Sequence, residues 1–200
     1  MSLTSVGAGA ALDEADIVER ARRGEAAAWE RLVHLHQEVL FRYAYLMLGD
    51  SDEAQDVVQE TFVRAFRAFH TFDAERPMRP WLLRIARNLA RNRWRSLKRS
   101  LLAVQRWKEE LRTEAAGGRQ EHGDAARLAA SELRRAVEGL RDEDRQVTHL
   151  RYFLSLSVEE TGAALALPAG TVKSRLSRAL ARLRHEVRSR HPSLRQALEE

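Results

Sequence analysis

The stretch Ser157–Arg184, SVEETGAALALPAGTVKSRLSRALARLR, decides how the second half of this chain folds. Ser157-Val158-Glu159-Glu160 has the form of a capping box: the Ser157 hydroxyl accepts from the first helical turn while the Glu160 carboxylate reaches back. The turn around Leu165 to Ala169 ends at Pro168, whose fixed φ suits a helix start. In the helix that follows, Val172, Leu176, Ala179, Leu180 and Leu183 share one face and are expected to pack inward. Lys173, Ser174, Ser177, Arg178 and Ala181 share the opposite face. Short side chains beside long cations let a backbone approach base edges, and a guanidinium can pair bidentately with guanine. Arg175, Arg182 and Arg184 fall to the flanks, where phosphate contacts are expected. The segment reads as a helix-turn-helix whose second helix enters a major groove. The plainer alternative is a helical hairpin with a solvated basic face.

Charge is segregated along the rest of the chain. The formal net charge is only +5, but nine Lys and Arg and no acid lie between Arg76 and Arg99, and seven bases against Glu186 lie between Lys173 and Arg190. Asp50 to Glu60 holds five acids and no base. Such blocks predict two surfaces for polyanions and one for a basic partner, against the blander reading of solvated helix faces. Absent cysteine excludes disulfides and cysteine-based zinc or nucleophile chemistry. Residues 1–12 lack the pattern of a signal peptide and no apolar run spans a bilayer, so the expected location is the cytoplasm, with no membrane insertion.

Four prolines, ten glycines and long 3.6-period patterns predict an all-α protein: two small helical domains joined by a flexible linker. Residues 1–11 are expected to be disordered. Asp13 is expected to cap a first helix ending at Gly24. A second helix, about Glu25 to Leu48, places Trp29, Leu32, Val33, Leu40, Tyr43, Ala44 and Met47 on one stripe, closed by Gly49-Asp50. Ser51 or Asp52 opens a third, with Val57, Val58, Phe62, Ala65, Phe66 and Phe69 inward. A loop from Thr71 to Pro80 leads to a basic fourth helix, Trp81 to Lys98. The domains are expected at 12–100 and 128–190, with a linker over 101–127 and a tail over 191–200; Gly117, Gly118 and Gly123 mark the linker.

The run GTVKSRLSRALARLR (Gly170–Arg184) resembles the promoter-reading helix of extracytoplasmic-function (ECF) sigma factors, and Leu140–Tyr152 resembles the helix before it. The chain departs from the family in having Arg141 where a proline is usual, and Thr161-Gly162 where an aliphatic-Ala pair is usual. Gly24–Asp50 followed by DEAQDVVQETFVRAF (Asp52–Phe66) is similar to the family along its whole length. The resemblance implies a grip on the β′ coiled coil of core RNA polymerase through Asp56, Gln59, Glu60 and Val63, residues that share a face by i, i+3, i+4, i+7 spacing. It implies the β flap as a second polymerase contact. RPMRPWLLRIARNLARNRWR (Arg76–Arg95) is similar to the family's minus-10 segment, and the preceding pocket-forming loop maps to Phe72–Met78.

Minus-10 contacts are thereby assigned to Phe72, Asp73, Met78, Arg84, Asn88, Arg91, Asn92 and Arg95, with Phe72 suited either to a pocket wall or to core. Arginines would hold phosphates of the opened strands, and an extruded base would be offset by stacking and hydrogen bonding. Trp81 and Ile85 suit core. Minus-35 duplex is assigned to Thr171, Lys173, Ser174, Arg175, Ser177, Arg178 and Arg182. The implied partners are core polymerase, promoter DNA and an anti-sigma factor.

No catalytic constellation, metal motif or phosphate-cradling glycine loop stands out, so no enzyme activity, cofactor, metal or small-molecule substrate is expected. His34 and His36, two apart, do not face each other on a helix. Two rival readings stay open at this point: a dimeric helix-turn-helix repressor or activator, and a helical adaptor whose basic faces take acidic partners.

Overall fold

The structure is a computed structural model that describes the backbone of residues 5–111, 132, 133 and 135–190, and the side chains of 14–97, 132, 133 and 135–189. All regular structure among these residues is helical. The chain divides into two compact units, with the boundary along the sequence at Ser100–Leu101. The expected linker core and the tail lie outside the described residues.

In the first unit α1 spans Ser5–Arg22, α2 Ala26–Leu48 and α3 Ser51–Ala68, and α4, Met78–Leu111, starts there and continues past its boundary. The helix α1 begins before Asp13, so residues 5–11 are helical where disorder was expected. Gly49 ends α2 at φ 73°, a left-handed conformation that costs a residue with a Cβ about 1–2 kcal/mol. The cap of α3 is Asp50, one residue before the expected opener. Its carboxylate accepts the amides of Asp52 and Glu53, both at 2.9 Å.

The core joins Ile17 and Val18 of α1 to Leu32, Leu40, Tyr43 and Ala44 of α2, Val57, Phe62 and Ala65 of α3, and Leu82, Leu83, Ala86 and Ala90 of α4. Phe66 departs from its predicted inward position and is 63% exposed. Trp29 meets its edge at 5.1 Å between ring centroids, and meets Phe69 at 5.2 Å. The helix α4 opens three residues before Trp81, because Pro80 falls in the first turn, where no helical amide bond is needed. It also runs on past Lys98 to Leu111, into the expected linker.

The second unit contains residues 135–138 in helical form, α5 over Asp142–Thr148 with a π-helical turn at His149–Phe153, α6 over Val158–Leu165 and α7 over Ala169–Arg190. The capping box forms: the Ser157 amide donates to Glu160 Oε2 at 2.7 Å, and the Glu160 amide to Ser157 Oγ at 3.0 Å. Val172, Leu176 and Ala179 are buried, and Leu183 packs partly against Val137, Leu140 and Ala179.

Gly162 is where the turn closes. The Leu167 amide donates to its carbonyl at 2.9 Å, and a Cβ there would stand 2.7 Å from the Leu167 carbonyl oxygen. That proximity gives a packing reason for the departure from the family's usual alanine.

Candidate nucleic-acid interface and partner face

Three exposed faces follow from which side of each helix the core takes. On α3 the buried stripe leaves Asp56, Gln59 and Glu60 exposed and Val63 43% exposed, on one outward face. Glu60 is held by Arg64 at 2.7 Å, one turn on. Asp56 is also engaged: together with Glu53 it forms ion pairs to Arg93 of α4. The hydrogen bond to Glu53 leads the causes that raise the Arg93 pKa, followed, after an opposing burial penalty, by the charges of both acids. Phe66, one turn beyond Val63, adds an aromatic surface to this face. Sequence periodicity misses it because position 66 lies at the edge of the buried stripe, where the edge contact with Trp29 leaves the residue 63% exposed.

On α4, Arg84, Asn88, Arg91, Asn92 and Arg95 are all exposed. Their spacing confines them to one arc of the helix, away from buried Leu82, Leu83, Ala86 and Ala90. Arg93 lies on the other side, toward α3. The loop before α4 separates the assigned residues into two kinds. Asp73 is exposed, whereas Phe72 is 4% and Met78 1% exposed. Phe72 lies between Phe69, at 6.2 Å and nearly parallel, and Trp81, at 4.9 Å. Of the two roles open to Phe72, the structure has the core one. Met78 is likewise core, so neither presents a surface to a nucleotide as the loop stands.

On α7 the outward residues are Lys173, Ser174, Ser177, Arg178 and Ala181, all exposed, with Thr171 half-buried at the start. Ser174 Oγ donates back to the Thr171 carbonyl at 3.0 Å. Two of the three flanking arginines expected at phosphates have partners inside the unit. Arg175 pairs with Glu143 at 3.0 Å, and Arg182 pairs with Asp144, whose side chain is 6% exposed. A phosphate at either position competes with a carboxylate of α5. Among the described residues, neither Lys173 nor Arg178 has an ion-pair partner. Nor does any group of three or more metal-ligating side chains occur among them.

Fold and faces together define a class: a helix-turn-helix protein carrying a second helical module with one acidic and one basic face. The Sigma-70 region 2 profile matches residues 32–100, and the Sigma-70 region 4 profile matches residues 136–185. The chain is 32% identical over 177 residues to the ECF RNA polymerase sigma factor SigW of Bacillus subtilis (strain 168), covering 86% of this chain and 95% of that protein. It is 34% identical over 167 residues to the RNA polymerase sigma-E factor of Streptomyces coelicolor, covering 84% and 90%. Its fold matches CnrH, solved in complex with the cytosolic domain of CnrY, at a TM-score of 0.67 and 27% identity, covering 88% of this chain and 98% of that one. The chain belongs to the sigma-70 family of RNA polymerase sigma factors, in its ECF group. Its function is that of the family, directing polymerase to promoters, which sets the repressor and adaptor readings aside.

Proposed function

We propose that the three faces divide the work of initiation. The outward face of α3, with Asp56, Gln59, Glu60 and Val63, takes the basic β′ coiled coil of core polymerase, and Phe66 serves as its aromatic anchor. Anchors of this kind, rimmed by charge, carry most of the energy of typical interfaces. The face of α4, with Arg84, Asn88, Arg91, Asn92 and Arg95, holds the melted minus-10 strand together with the loop, in which Asp73 reads and the buried Phe72 and Met78 anchor the loop to the core. Lys173, Ser174, Ser177 and Arg178 read the minus-35 duplex. Thr171, Arg175 and Arg182 support that face from its edges.

The observation that carries this reading is the composition of the outward arc of α4. Its exposed side chains are Arg and Asn alone, suited to phosphates and base edges, while Leu82, Leu83, Ala86 and Ala90 are buried on the other side of the helix. Polymerase supplies the catalysis, so the chain itself has no enzyme activity in this reading. Residues 12–100 and 128–190 act as the two functional domains. A cytoplasmic location fits the partners, and no helix among the described residues is long and apolar enough to cross a membrane. An anti-sigma protein covering these faces is part of the proposal, supported by CnrH having been solved with the cytosolic domain of CnrY bound.

Run-off transcription with bacterial core polymerase and a randomised promoter library tests the whole. Alanine at Asp56, Gln59 and Glu60 together should abolish promoter-dependent product through lost polymerase affinity, with binding to the selected minus-35 duplex intact. Equal polymerase affinity in the triple variant would remove α3 from the reading.

A further inference from the structure

The helix α1 precedes the segment matched as region 2, which starts at Leu32, yet its inner face is built into the first unit. Glu14, Ile17, Val18, Ala21 and Arg22 fall at i, i+3, i+4, i+7 and i+8, one continuous stripe. Ile17 and Val18, at its centre, are each 3% exposed. Its two polar ends reach the two ends of one loop. The Arg22 guanidinium donates to the carbonyl of Phe72, and Glu14 Oε1 accepts the amide of Met78 at 3.2 Å. Phe72 and Met78 bound the candidate minus-10 loop, and the contacts span 50 and 64 residues of sequence.

Both contacts join a charged side chain to backbone. They therefore fix the path of the loop without constraining the side chains it displays, and charge assistance makes them stronger than neutral hydrogen bonds. Glu14 also satisfies an amide in the first turn of α4 that has no partner within its own helix. Its carboxylate stands 3.7 Å from Nε2 of buried His36. Glu19, 3.3 Å from Arg22, orients the guanidinium at the other end.

Between these anchors the loop is tied to itself by Asp73. Its carboxylate accepts the Glu75 amide at 3.2 Å and Nε of Arg76 at 3.0 Å, and its carbonyl accepts the Arg76 amide at 3.0 Å. Asp73, Glu75, Arg76 and Pro77 remain exposed. The result is a segment with both ends clamped and its middle presented to solvent. Capture of a base depends on such a surface holding its shape before the strand arrives.

We propose that α1 positions this loop: Glu14 and Arg22 are positioning residues that set the base preference at the minus-10 element without touching DNA. The proposal rests on the reading of the loop as the minus-10 pocket.

The test uses the full chain, bacterial core polymerase and a promoter template randomised over the minus-10 hexamer, with transcripts sequenced to give the preference. Permanganate footprinting reports strand opening, and core-polymerase affinity and thermal melting are measured beside it. Arg22→Ala and Glu14→Ala should each flatten minus-10 preference by about tenfold, the scale on which small misplacements act, with polymerase affinity unchanged. Arg22→Lys and Glu14→Gln, which keep a donor and an acceptor, should recover most of it. Asp16→Ala, on the exposed side of α1, should leave the preference as it is.

A preference unchanged in the alanine variants, or one that falls only in step with polymerase affinity and melting temperature, overturns the proposal. Asp73→Ala separates the two ways it can fail. If Asp73→Ala shifts the preference and the α1 variants do not, the positioning role alone is wrong. If none of them shifts it, the loop is not the minus-10 pocket and the underlying reading fails with it.

Discussion

The helices α4 and α7 are both basic in sequence, but their internal partners act on opposite sides of the charge balance. In the second unit, acids of α5 engage arginines of α7: Glu143 takes Arg175 and Asp144 takes Arg182. What remains outward in the first half of α7 is Lys173 and Arg178 among small side chains, with Arg184 and Arg188 exposed further along the helix. In the first unit the cost falls on the acid instead. A base of α4, Arg93, engages acids of α3, and one of them, Asp56, belongs to the face proposed for polymerase. Internal pairing thus sharpens the DNA-facing set on α7 and occupies part of the partner-facing set on α3.

The largest expected effect comes from breaking the pair that is most buried. Asp144 is 4% exposed as a residue, so Asp144→Ala leaves the Arg182 cation without the carboxylate that accompanies it. Removing one partner of a fully buried pair costs about 3–5 kcal/mol. The Arg182 side chain is 38% exposed and can recover water, so a loss of about 2 kcal/mol is expected. Native-state hydrogen exchange at Val172 and Ala179 measures it in the second unit. Arg182→Ala should destabilise to a similar extent by stranding the carboxylate. A variant of normal stability that binds all duplexes more weakly would instead make Arg182 a phosphate contact.

Arg178→Ala probes the same helix on its outward side. Its contact, if bidentate to guanine, is worth about 1–3 kcal/mol of discrimination, with no change in folding stability. Anisotropy titrations against matched and substituted minus-35 duplexes read this directly. A loss equal on every sequence would move Arg178 to the phosphate-contacting group and leave Lys173 and the two serines to carry specificity.

Among the described residues the two units also bury one histidine each, in contrasting company. Burial lowers the pKa of both. For His36 the Glu14 carboxylate opposes the shift and Arg79 adds to it, whereas for His149 the nearby Arg145 adds to the effect of burial and the pKa falls to about 4. A histidine lowered in the folded state favours folding while it is neutral. The contribution of His149 is therefore fully present above about pH 6.5, where the unfolded side chain is also neutral, and is lost as the pH drops toward 4. The slope across that window is about 1.4 kcal/mol per pH unit at most. Hydrogen exchange at Leu150 should follow it, and His149→Phe should flatten it. An unchanged slope in that variant would place the acid sensitivity elsewhere.

Much of this organisation was legible in the residues. The 3.6-period stripes of α2, α3 and α7 and the capping box at Ser157 are local signals, and they form largely as read, with Phe66 of α3 the exception. The misses have local causes as well. Small residues 5–11 carry no periodicity to announce a helix, and Asp50 outcompetes Ser51 because its carboxylate reaches two amides at once. The faces proposed for polymerase and DNA were legible as exposed arcs, but their availability was not. Arg93 finds Glu53 across 40 residues and Arg182 finds Asp144 across 38, and no local pattern encodes such pairs. In the residues alone Gly162 is only a departure from the family's usual alanine; its reason lies in the Leu167 carbonyl oxygen, 2.7 Å from where a Cβ would be.

The smallest effect tests that cost to the acid directly. Arg93→Ala removes both cross-helix pairs, and because the Arg93 and Asp56 side chains are 43% and 61% exposed, the stability cost should stay below about 1 kcal/mol. Polymerase affinity then distinguishes two roles for the pair. If Arg93 competes with the basic helix of the partner, its removal frees Asp56 and tightens binding by a factor of about three, mainly through a faster on-rate that fades with salt. If Arg93 instead holds the carboxylate in the orientation the partner meets, the same variant binds more weakly at every salt concentration. Association kinetics at two ionic strengths separate the cases. Only the first leaves the acidic face of α3 partly blocked until polymerase arrives, and with it a reason for α4 to keep one arginine away from the DNA side.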